Sequence, residues 1–202
     1  RTCLIRQGEY ALLDLDALLA DQAVAGLKFD VIVGRNVLSR SDQWAEHLTV
    51  LQHALAPHGT VSLAERLPRA SQRLYRLVEP GALSARLAAQ WQEAEEGMYS
   101  SPDDPVVNWG PEELLQALRS THLADCRVEE RTLISEMLVT RSQIEGWFGT
   151  GRDGRPGYGE MLRRSLSDDE MREVELALVS AIAGKTVAWS RTVLFVTAQA
   201  PG

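Results

Sequence analysis

The sequence is poor in the residues on which small secreted and metal-binding proteins depend. Its 202 residues contain two cysteines, Cys3 and Cys126, and four histidines, with no zinc-like spacing among them. Two cysteines do not form a disulfide framework, so we expect reduced thiols in a cytoplasmic protein. No apolar run approaches the roughly 18 residues that a membrane span needs, and no signal-peptide pattern occurs, so we predict no membrane partner.

Positive charge is also scarce. The chain has 21 lysines and arginines against 28 aspartates and glutamates, and its formal net charge is -7. A surface that binds nucleic acid needs a basic footprint for the phosphates, so we predict no direct nucleic-acid surface. The rest of the composition, 45% hydrophobic and 24% charged, is that of an ordinary globular protein that is long enough to bury a core.

Two catalytic motifs are missing, and a third matches the residue pattern without the neighbouring elements that the motif requires. There is no G-x-S-x-G and no G-x-x-x-x-G-K-[ST], so hydrolase chemistry has no support and any ATPase activity lies outside this chain. Residues 149–154, GTGRDG, match G-x-G-x-x-G. That motif requires a buried strand before it, whereas RSQIEGWF reads as a polar helix. Residues 149–159 are therefore predicted to form a loop, whose role stays open.

The first third of the chain alternates between strand and helix patterns. The five segments are a strand in 2–13, a helix in 14–25, a strand at 29–33, a helix capped by Ser41 or Asp42, and a strand at 60–65. Such alternation predicts parallel strands joined by right-handed helical crossovers. We therefore expect the strands around Val31 and Ser62 to lie side by side and to run in the same direction.

The rest of the chain predicts helices followed by closing strands. Residues 70–98 read as helical, residues 125–139 as a strand, and SDDE at 167–170 as a capping box that starts a helix. The final KTVAWSRTVLFVTAQ segment has period two, which suits a strand. Its alternation places four side chains on one face: Val187, Trp189, Val193 and Phe195.

These patterns together predict one α/β domain over residues 1–202. We expect an α/β core in 1–65, a helical insertion in 66–124, and closing strands with a helix in 125–202.

The buried strand FDVIV ends abruptly in Gly34, Arg35 and Asn36. In open α/β sheets, ligands bind beyond the carboxyl ends of the strands, and a glycine there lets a ligand approach the backbone closely. A strand also needs a turn at its end, and Gly34 can serve that purpose alone. From these residues the two interpretations stay open.

FDVIVGRNVLSR, the amphipathic helix after it and LQHALAPHGTVSLAE together resemble the second half of a class I S-adenosylmethionine-dependent methyltransferase. GRNVL is also similar to the CRNVL of the chemotaxis receptor glutamate methyltransferases. The resemblance covers roughly residues 1–65 and, more weakly, the last strand pair. It implies a partial Rossmann-like methyltransferase sheet with a C-terminal antiparallel strand pair, and S-adenosylmethionine as the cofactor.

The resemblance also implies which residues meet the cofactor. The family's glycine-rich loop and its ribose-binding acidic residue would lie before the first residue of this chain. Glu9 and Tyr10 would lie near the adenine, with Asp14 as a substitute. The residues that flank the methyl group and the substrate would be Gly34, Arg35, Asn36 and Val37. The Asn-Pro-Pro-Tyr signature of amino-group methylation is absent, which puts nucleic-acid bases in doubt as acceptors.

Residues 94–109, AEEGMYSSPDDPVVNW, resemble a segment of proteins in which a RarA-type AAA+ recombination ATPase is fused to a methyltransferase-like C-terminal domain. A fusion would agree with a chain that begins at Arg1, so we expect a piece of a longer polypeptide, with any oligomer formed through the fused portion. Tyr99, Asn108 and Trp109 are a polar-aromatic cluster within the segment. Such a cluster predicts either a substrate pocket or a packed junction between helices.

Two functions follow from these resemblances. In the first, the protein is a methyltransferase that holds an unidentified acceptor against the sulfonium methyl group, with proximity contributing more than acid–base groups. In the second, it is a non-catalytic, methyltransferase-like interaction domain of a DNA-recombination or repair ATPase. Binding of the cofactor distinguishes the two.

Overall fold

The strand predicted around Val31 is the first element of the structure, a computed structural model that describes residues 27–39, 43–151 and 156–202. The elements in chain order are β1 (Phe29–Arg35), α1 (Trp44–Ala54), β2 (Leu55–Arg66), α2 (Ala85–Ser100), α3 (Pro111–Ser120), β3 (Ala124–Val139), α4 (Arg141–Phe148), α5 (Tyr158–Leu162), α6 (Asp168–Ile182) and β4 (Lys185–Gln199). Two short 3-10 turns, Pro68–Ala70 and Leu74–Leu77, lie between β2 and α2. The strand and helix predicted in 2–25 lie outside the described residues.

The four described strands form one mixed sheet in the order β1-β2-β4-β3. β1 and β2 are parallel neighbours, with Val31 opposite Thr60 and Val33 opposite Ser62. β4 runs antiparallel to β2, with Leu63 opposite Val196. The predicted α/β class, the parallel pair around Val31 and Ser62, and the closing antiparallel strand are therefore confirmed.

The helix between the two parallel strands has Gln43 at its N-cap, and the Gln43 side chain does not cap it. Ser41 and Asp42, the predicted caps, lie outside the described residues. The first turn is closed by the backbone instead, because the N–H groups of Glu46 and His47 both donate to the Gln43 carbonyl. The helix ends at Ala54, and the next residue already begins β2.

The segment predicted as one helix over 70–98 is interrupted. Two 3-10 turns and an irregular stretch come first, and α2 begins only at Ala85, after the Ser84 side chain accepts from the Leu87 N–H. Pro80 cannot donate a helical hydrogen bond, and Gly81 has a φ of 91°, which ends any helix there. The leucine spacing alone did not reveal this break.

Backbone contacts divide the chain into two compact units. The first unit consists of the described residues up to Leu67, together with Trp109–Arg131 and Val193–Gly202. The second consists of Pro68–Asn108 and Thr132–Thr192. β3 and β4 therefore each contribute residues to both units.

The first unit buries the inner faces of α1, α3, β2 and the end of β4. Leu48, Leu114, Leu118 and Leu194 are at most 1% exposed. In β4 the buried side chains near the end are Leu194, Val196 and Ala198, whereas Phe195 on the opposite face is 40% exposed. The period-two strand prediction is thus confirmed, and the alternate set of residues supplies the core there.

The second unit has its own hydrophobic core. The predicted capping box is present at Ser167 and Glu170, and it starts α6. The predicted apolar face of that helix is buried with residues of α2, α4 and α5, including Met171, Val174, Leu178, Ile182, Leu87, Trp91, Ile144 and Leu162. No helix within the described ranges is both long and apolar enough to cross a membrane.

Candidate functional site

The turn after β1 is folded around the carboxylate of Glu65, near the end of β2. The backbone N–H of Val37 donates to Oε1 at 2.8 Å. The N–H groups of Leu38 and Ser39 both donate to Oε2 at 3.0 Å. Because β1 and β2 are parallel neighbours, this turn lies at the carboxyl ends of both strands, where open α/β sheets bind their ligands.

Asn36 has the backbone conformation and the hydrogen bonds that form the turn after β1. Its φ of 53° lies in the left-handed region, which asparagine adopts more readily than most residues. Its N–H donates to the Ala64 carbonyl at 3.0 Å, and its Oδ1 accepts from the Arg66 N–H at 3.2 Å. Asn36 therefore joins the end of β1 to the end of β2 from both sides of Glu65.

Gly34 is required by the packing of the same turn. A Cβ at this position would lie 2.6 Å from Val37 Cγ2 and 2.9 Å from Leu63 Cδ2. The packing of the turn therefore requires glycine here, and the approach of a ligand to Gly34 stays a prediction. Glycine allows the turn to fold back onto β2.

The electrostatics of the turn are dominated by the buried carboxylate. Glu65 is 0% exposed. Burial raises the pKa of its carboxyl above the ordinary value, and the N–H groups of Ser39, Val37 and Leu38 oppose that rise. Three successive backbone N–H groups form a concave anion site, and the protein fills it with its own carboxylate.

Glu65 was not among the residues predicted from the sequence, although the sequence carries a signal for it. Glu65 ends the otherwise apolar strand segment TVSLA, and an acidic side chain seldom lies on a buried strand without a partner. The four predicted residues Gly34, Arg35, Asn36 and Val37 do lie together at the end of β1. Their contact with a cofactor stays a prediction, and Glu9, Tyr10 and Asp14 lie outside the described residues.

The three residues of the predicted substrate pocket have individual structural roles. Trp109, in the first unit, is 0% exposed and its ring centroid lies 5.5 Å from that of Trp44. In the second unit, the Tyr99 ring lies 4.1 Å from the Arg73 guanidinium carbon, and Asn108 Nδ2 donates to the Pro102 carbonyl at 2.9 Å. Their grouping into one pocket stays a prediction.

Trp109 has one further property. Its indole Nε1 is buried and has no hydrogen-bond partner within the part of the chain that the structure describes. A buried indole N–H ordinarily has an acceptor.

The second unit contains another fully buried carboxylate, that of Glu95 in α2. The Leu74 N–H donates to Oε1 at 2.6 Å, and the Tyr75 N–H donates to Oε2 at 3.1 Å. The Tyr158 hydroxyl also donates to Oε2, at 3.0 Å, and it accepts from Trp91 Nε1 at 2.7 Å. Burial raises the pKa of Glu95, and burial together with the nearby Glu95 raises the pKa of Tyr158 far above its ordinary value.

A cavity of about 590 Å³ lies in the second unit. Its wall combines apolar groups from Met98 and Met161 with charged groups from Glu93, Asp103 and Arg164. Within the described ranges, no group of three His, Cys, Asp or Glu residues is arranged to hold a metal ion.

The glycine-rich segment does not have the context of a dinucleotide site. It follows the helix α4, and not a strand. Glu160 Oε2 accepts from the Gly151 and Gly157 N–H groups at 2.7 Å each, so a side chain from α5 organises this stretch. Residues 152–155 lie outside the described part.

Several solved structures are similar to this chain. A candidate methyltransferase from Bacillus halodurans has a TM-score of 0.41 and 11% identity, over 87% of this chain and 65% of that protein. Haemonchus contortus phosphoethanolamine N-methyltransferase 2, in complex with phosphomonomethylethanolamine and S-adenosylhomocysteine, has a TM-score of 0.36 and 16% identity, over 86% of this chain and 34% of that protein. A candidate methyltransferase of an antibiotic biosynthesis pathway from Anabaena variabilis has a TM-score of 0.37 and 11% identity, over 84% of this chain and 68% of that protein.

The chain thus spans less than two thirds of the length of the first two of these proteins, 65% and 34%. No protein-family model and no curated protein matches the sequence. All three TM-scores are below 0.5. The α/β class is established by the strand pairing itself.

Proposed function

We propose that this chain is part of an S-adenosylmethionine-dependent methyltransferase. The observation that supports the proposal is the pairing of β1 and β2 as parallel neighbours, closed by the antiparallel β4. This is the arrangement that the resemblance of FDVIVGRNVLSR and LQHALAPHGTVSLAE to class I methyltransferases implies. The acceptor is not identified by it.

The described residues include those that the resemblance assigns to the methyl group of the cofactor, but not those that it assigns to the adenine. When bound, S-adenosylmethionine supplies an electrophilic methyl group on its sulfonium. Arg35 and Asn36 at the carboxyl end of β1 would meet the cofactor or the acceptor, and Glu65 would hold their turn in place through the Val37–Ser39 backbone. Glu65 is thus a positioning residue in this proposal.

The test is calorimetric titration of S-adenosylhomocysteine into the longest natural polypeptide that contains these residues, because the resemblance places the glycine-rich cofactor loop before Arg1. We expect saturable heat. Glu65→Ala should weaken binding at least tenfold while the circular dichroism spectrum stays native. The matched control is Glu93→Ala, an exposed glutamate of α2 that should bind like wild type. A complete polypeptide that releases no heat would refute the methyltransferase proposal.

A non-catalytic interaction domain is the second candidate, and one observation favours it. The N–H groups of Val37, Leu38 and Ser39 are already occupied by Glu65, and the space beside Gly34 is filled by Val37 and Leu63. A turn whose donors are satisfied internally has less to offer a cofactor. Absence of cofactor binding in the complete polypeptide would support this candidate.

The proposed fusion to a RarA-type AAA+ ATPase rests on residues 94–109, and the structure gives many of these residues a role in folding. Glu95 accepts backbone N–H groups, Asp104 Oδ1 accepts from the Val106 N–H at 2.9 Å, and Trp109 is buried against Trp44. Intact mass spectrometry of the endogenous protein tests the fusion directly. A mass near the 22.3 kDa of this chain would contradict it.

A further inference from the structure

The cavity of about 590 Å³ in the second unit has walls from three segments of the chain. Helix α2 supplies one wall, the loop after it supplies the second, and α5 with the turn that follows it supplies the third. The volume lies in the range of roughly 300–1,000 Å³ that is typical of small-molecule sites. The cavity is therefore large enough for an organic molecule, and not only for water or a single ion.

Hydrogen bonds fix these walls before any ligand binds. The Tyr158 hydroxyl of α5 accepts from Trp91 Nε1 at 2.7 Å and donates to Glu95 Oε2 at 3.0 Å, which holds α5 against α2. In the loop, Asn108 Nδ2 donates to the Pro102 carbonyl at 2.9 Å. Binding does not have to order these segments, so little of the binding free energy is spent on ordering them.

Part of the cavity wall is apolar. The Met98 side chain, which is 8% exposed, and the partly buried Ala94 and Met161 all contribute to it. Gly97 lines the cavity without a side chain, and a Cβ added there would meet nothing within 4 Å. Methionine is flexible and polarisable, so it adapts to apolar groups of different shapes. This part of the wall suits the hydrocarbon part of a ligand.

Opposite charges line the same cavity without pairing. Neither the Arg164 guanidinium nor the Asp103 carboxylate forms a hydrogen bond or an ion pair with any residue in the described part of the chain. Glu93 and Asp104 bring the number of lining carboxylates to three. Among the described residues, no three acidic, histidine or cysteine groups are arranged to hold a metal ion. The cavity therefore offers one free positive and one free negative group that do not contact each other.

We propose that this cavity binds a small zwitterion with an apolar body, of the class of short apolar peptides. The ammonium of the ligand would meet the Asp103 carboxylate, and its terminal carboxylate would accept from the Arg164 guanidinium. Its hydrocarbon side chains would lie on Met98 and Met161.

The chemistry of the two charged groups favours such a ligand. A guanidinium fork matches a carboxylate bidentately, and charge-assisted hydrogen bonds of this kind are the strong ones. A dipeptide carries its ammonium and its carboxylate at opposite ends, so it can reach two protein groups that do not contact each other. The site belongs to the second unit and does not depend on the methyltransferase proposal.

The test is calorimetric titration of this chain at neutral pH with leucyl-leucine and two derivatives. N-acetyl-leucyl-leucine lacks the ammonium and leucyl-leucine amide lacks the carboxylate, whereas both keep the hydrocarbon side chains. Leucyl-leucine should give saturable heat. Each derivative should bind at least about tenfold more weakly, because each loses one charge-assisted contact. No saturable heat from leucyl-leucine, or equal affinity of all three molecules, would overturn the proposal.

Two variants connect each charge of the ligand to its residue. Arg164→Gln should bind leucyl-leucine and its amide with similar affinity, and Asp103→Asn should reduce the preference for leucyl-leucine over its N-acetyl derivative. Both side chains are exposed, so both variants should fold. The matched controls Arg141→Gln and Asp169→Asn neutralise side chains outside the cavity that are 66% and 87% exposed, and should keep the wild-type preferences. An unchanged preference in Arg164→Gln, or an equal loss in Arg141→Gln, would contradict the assignment.

Gly97→Leu tests the location of the site independently of charge. Its side chain should fill part of the cavity and weaken the binding of leucyl-leucine at least about tenfold, with a native circular dichroism spectrum. Gly146→Leu is the matched control, because Gly146 lies in α4 outside the cavity and a Cβ there also meets nothing within 4 Å. It should bind like wild type. Equal affinity of the two leucine variants would place the ligand elsewhere and overturn the site.

Discussion

Glu65 and Glu95 are both 0% exposed carboxylates that accept backbone N–H groups, one in each compact unit. They differ in what they hold together. Glu65 binds three successive N–H groups from a single turn, Val37–Ser39. Glu95 binds a 3-10 turn through Leu74 and Tyr75 and also the Tyr158 hydroxyl, which is more than sixty residues away in sequence.

The difference shows two uses of one chemical device. A carboxylate that collects adjacent N–H groups shapes one loop, and the loss of that loop is local. A carboxylate that joins segments distant in sequence supports the packing of α2 on α5, including the Trp91–Tyr158 hydrogen bond. We therefore expect Glu65 to matter more for the site at the sheet and Glu95 more for the stability of its unit.

The largest expected effect is that of Glu95→Ala. It leaves two backbone N–H groups and the Tyr158 hydroxyl without an acceptor, and each buried unsatisfied group costs about 1–3 kcal/mol, so we expect a loss of about 4 kcal/mol in the free energy of unfolding. Urea denaturation followed by circular dichroism measures it. Glu93→Ala on the exposed side of the same helix should change the free energy by less than about 0.5 kcal/mol. If the two variants were equally stable, the proposed role of Glu95 would be wrong.

Glu65→Ala should cost less, about 2 kcal/mol, because water can reach the half-buried Val37 and Ser39 and replace part of the lost hydrogen bonding. Only the fully buried Leu38 N–H would stay without a partner. The same urea experiment gives the comparison. A loss as large as that of Glu95→Ala would show that the turn after β1 supports the whole first unit, and the distinction between the two glutamates would fail.

Much of this fold was predictable from periodicity. The parallel pairing of β1 with β2, the final strand and the capping box at Ser167 and Glu170 all follow from local residue patterns, and the structure confirms them. Local patterns are sufficient there because alternation and capping act over only a few residues.

The two buried glutamates were not predictable in the same way. Their partners include backbone N–H groups from segments 20 or more residues away. Nearly every residue type carries such a group, so the sequence does not indicate which of them will be the partner. The break before α2 was missed because the leucine spacing of 70–98 continues through Pro80 and Gly81. For residues 94–109, what resembled a family signature is in part a set of folding contacts, such as that of Glu95.

Gly34→Ala tests how the turn after β1, which Glu65 holds, packs against β2. The added methyl would lie 2.6 Å from Val37 Cγ2, and such overpacking costs about 1–3 kcal/mol, so we expect a loss near the lower end. The double variant G34A/V37A should recover part of the loss. Gly97→Ala is the matched control, since a Cβ there meets nothing within 4 Å and helix α2 should gain about 0.5–1 kcal/mol. A destabilised G97A with an unaffected G34A would contradict the packing argument.

The smallest expected effect is a difference in pH dependence between adjacent residues. Burial raises the pKa of Glu95, so its contribution to stability is present at low pH and is lost as the pH rises through the folded-state value. Burial also acts to raise the pKa of Glu96, but the hydrogen bonds from Arg73 and Tyr75 outweigh it and lower the pKa, so its contribution is lost as the pH falls.

Relative to Glu95→Gln, wild type should therefore gain stability from neutral towards acidic pH, and relative to Glu96→Gln it should lose stability over the same interval. Glu65→Gln should follow Glu95→Gln, because burial raises the pKa of Glu65 as well. Urea midpoints measured at neutral and at mildly acidic pH decide the signs, and the same sign for Glu95→Gln and Glu96→Gln would contradict this account of the buried carboxylates.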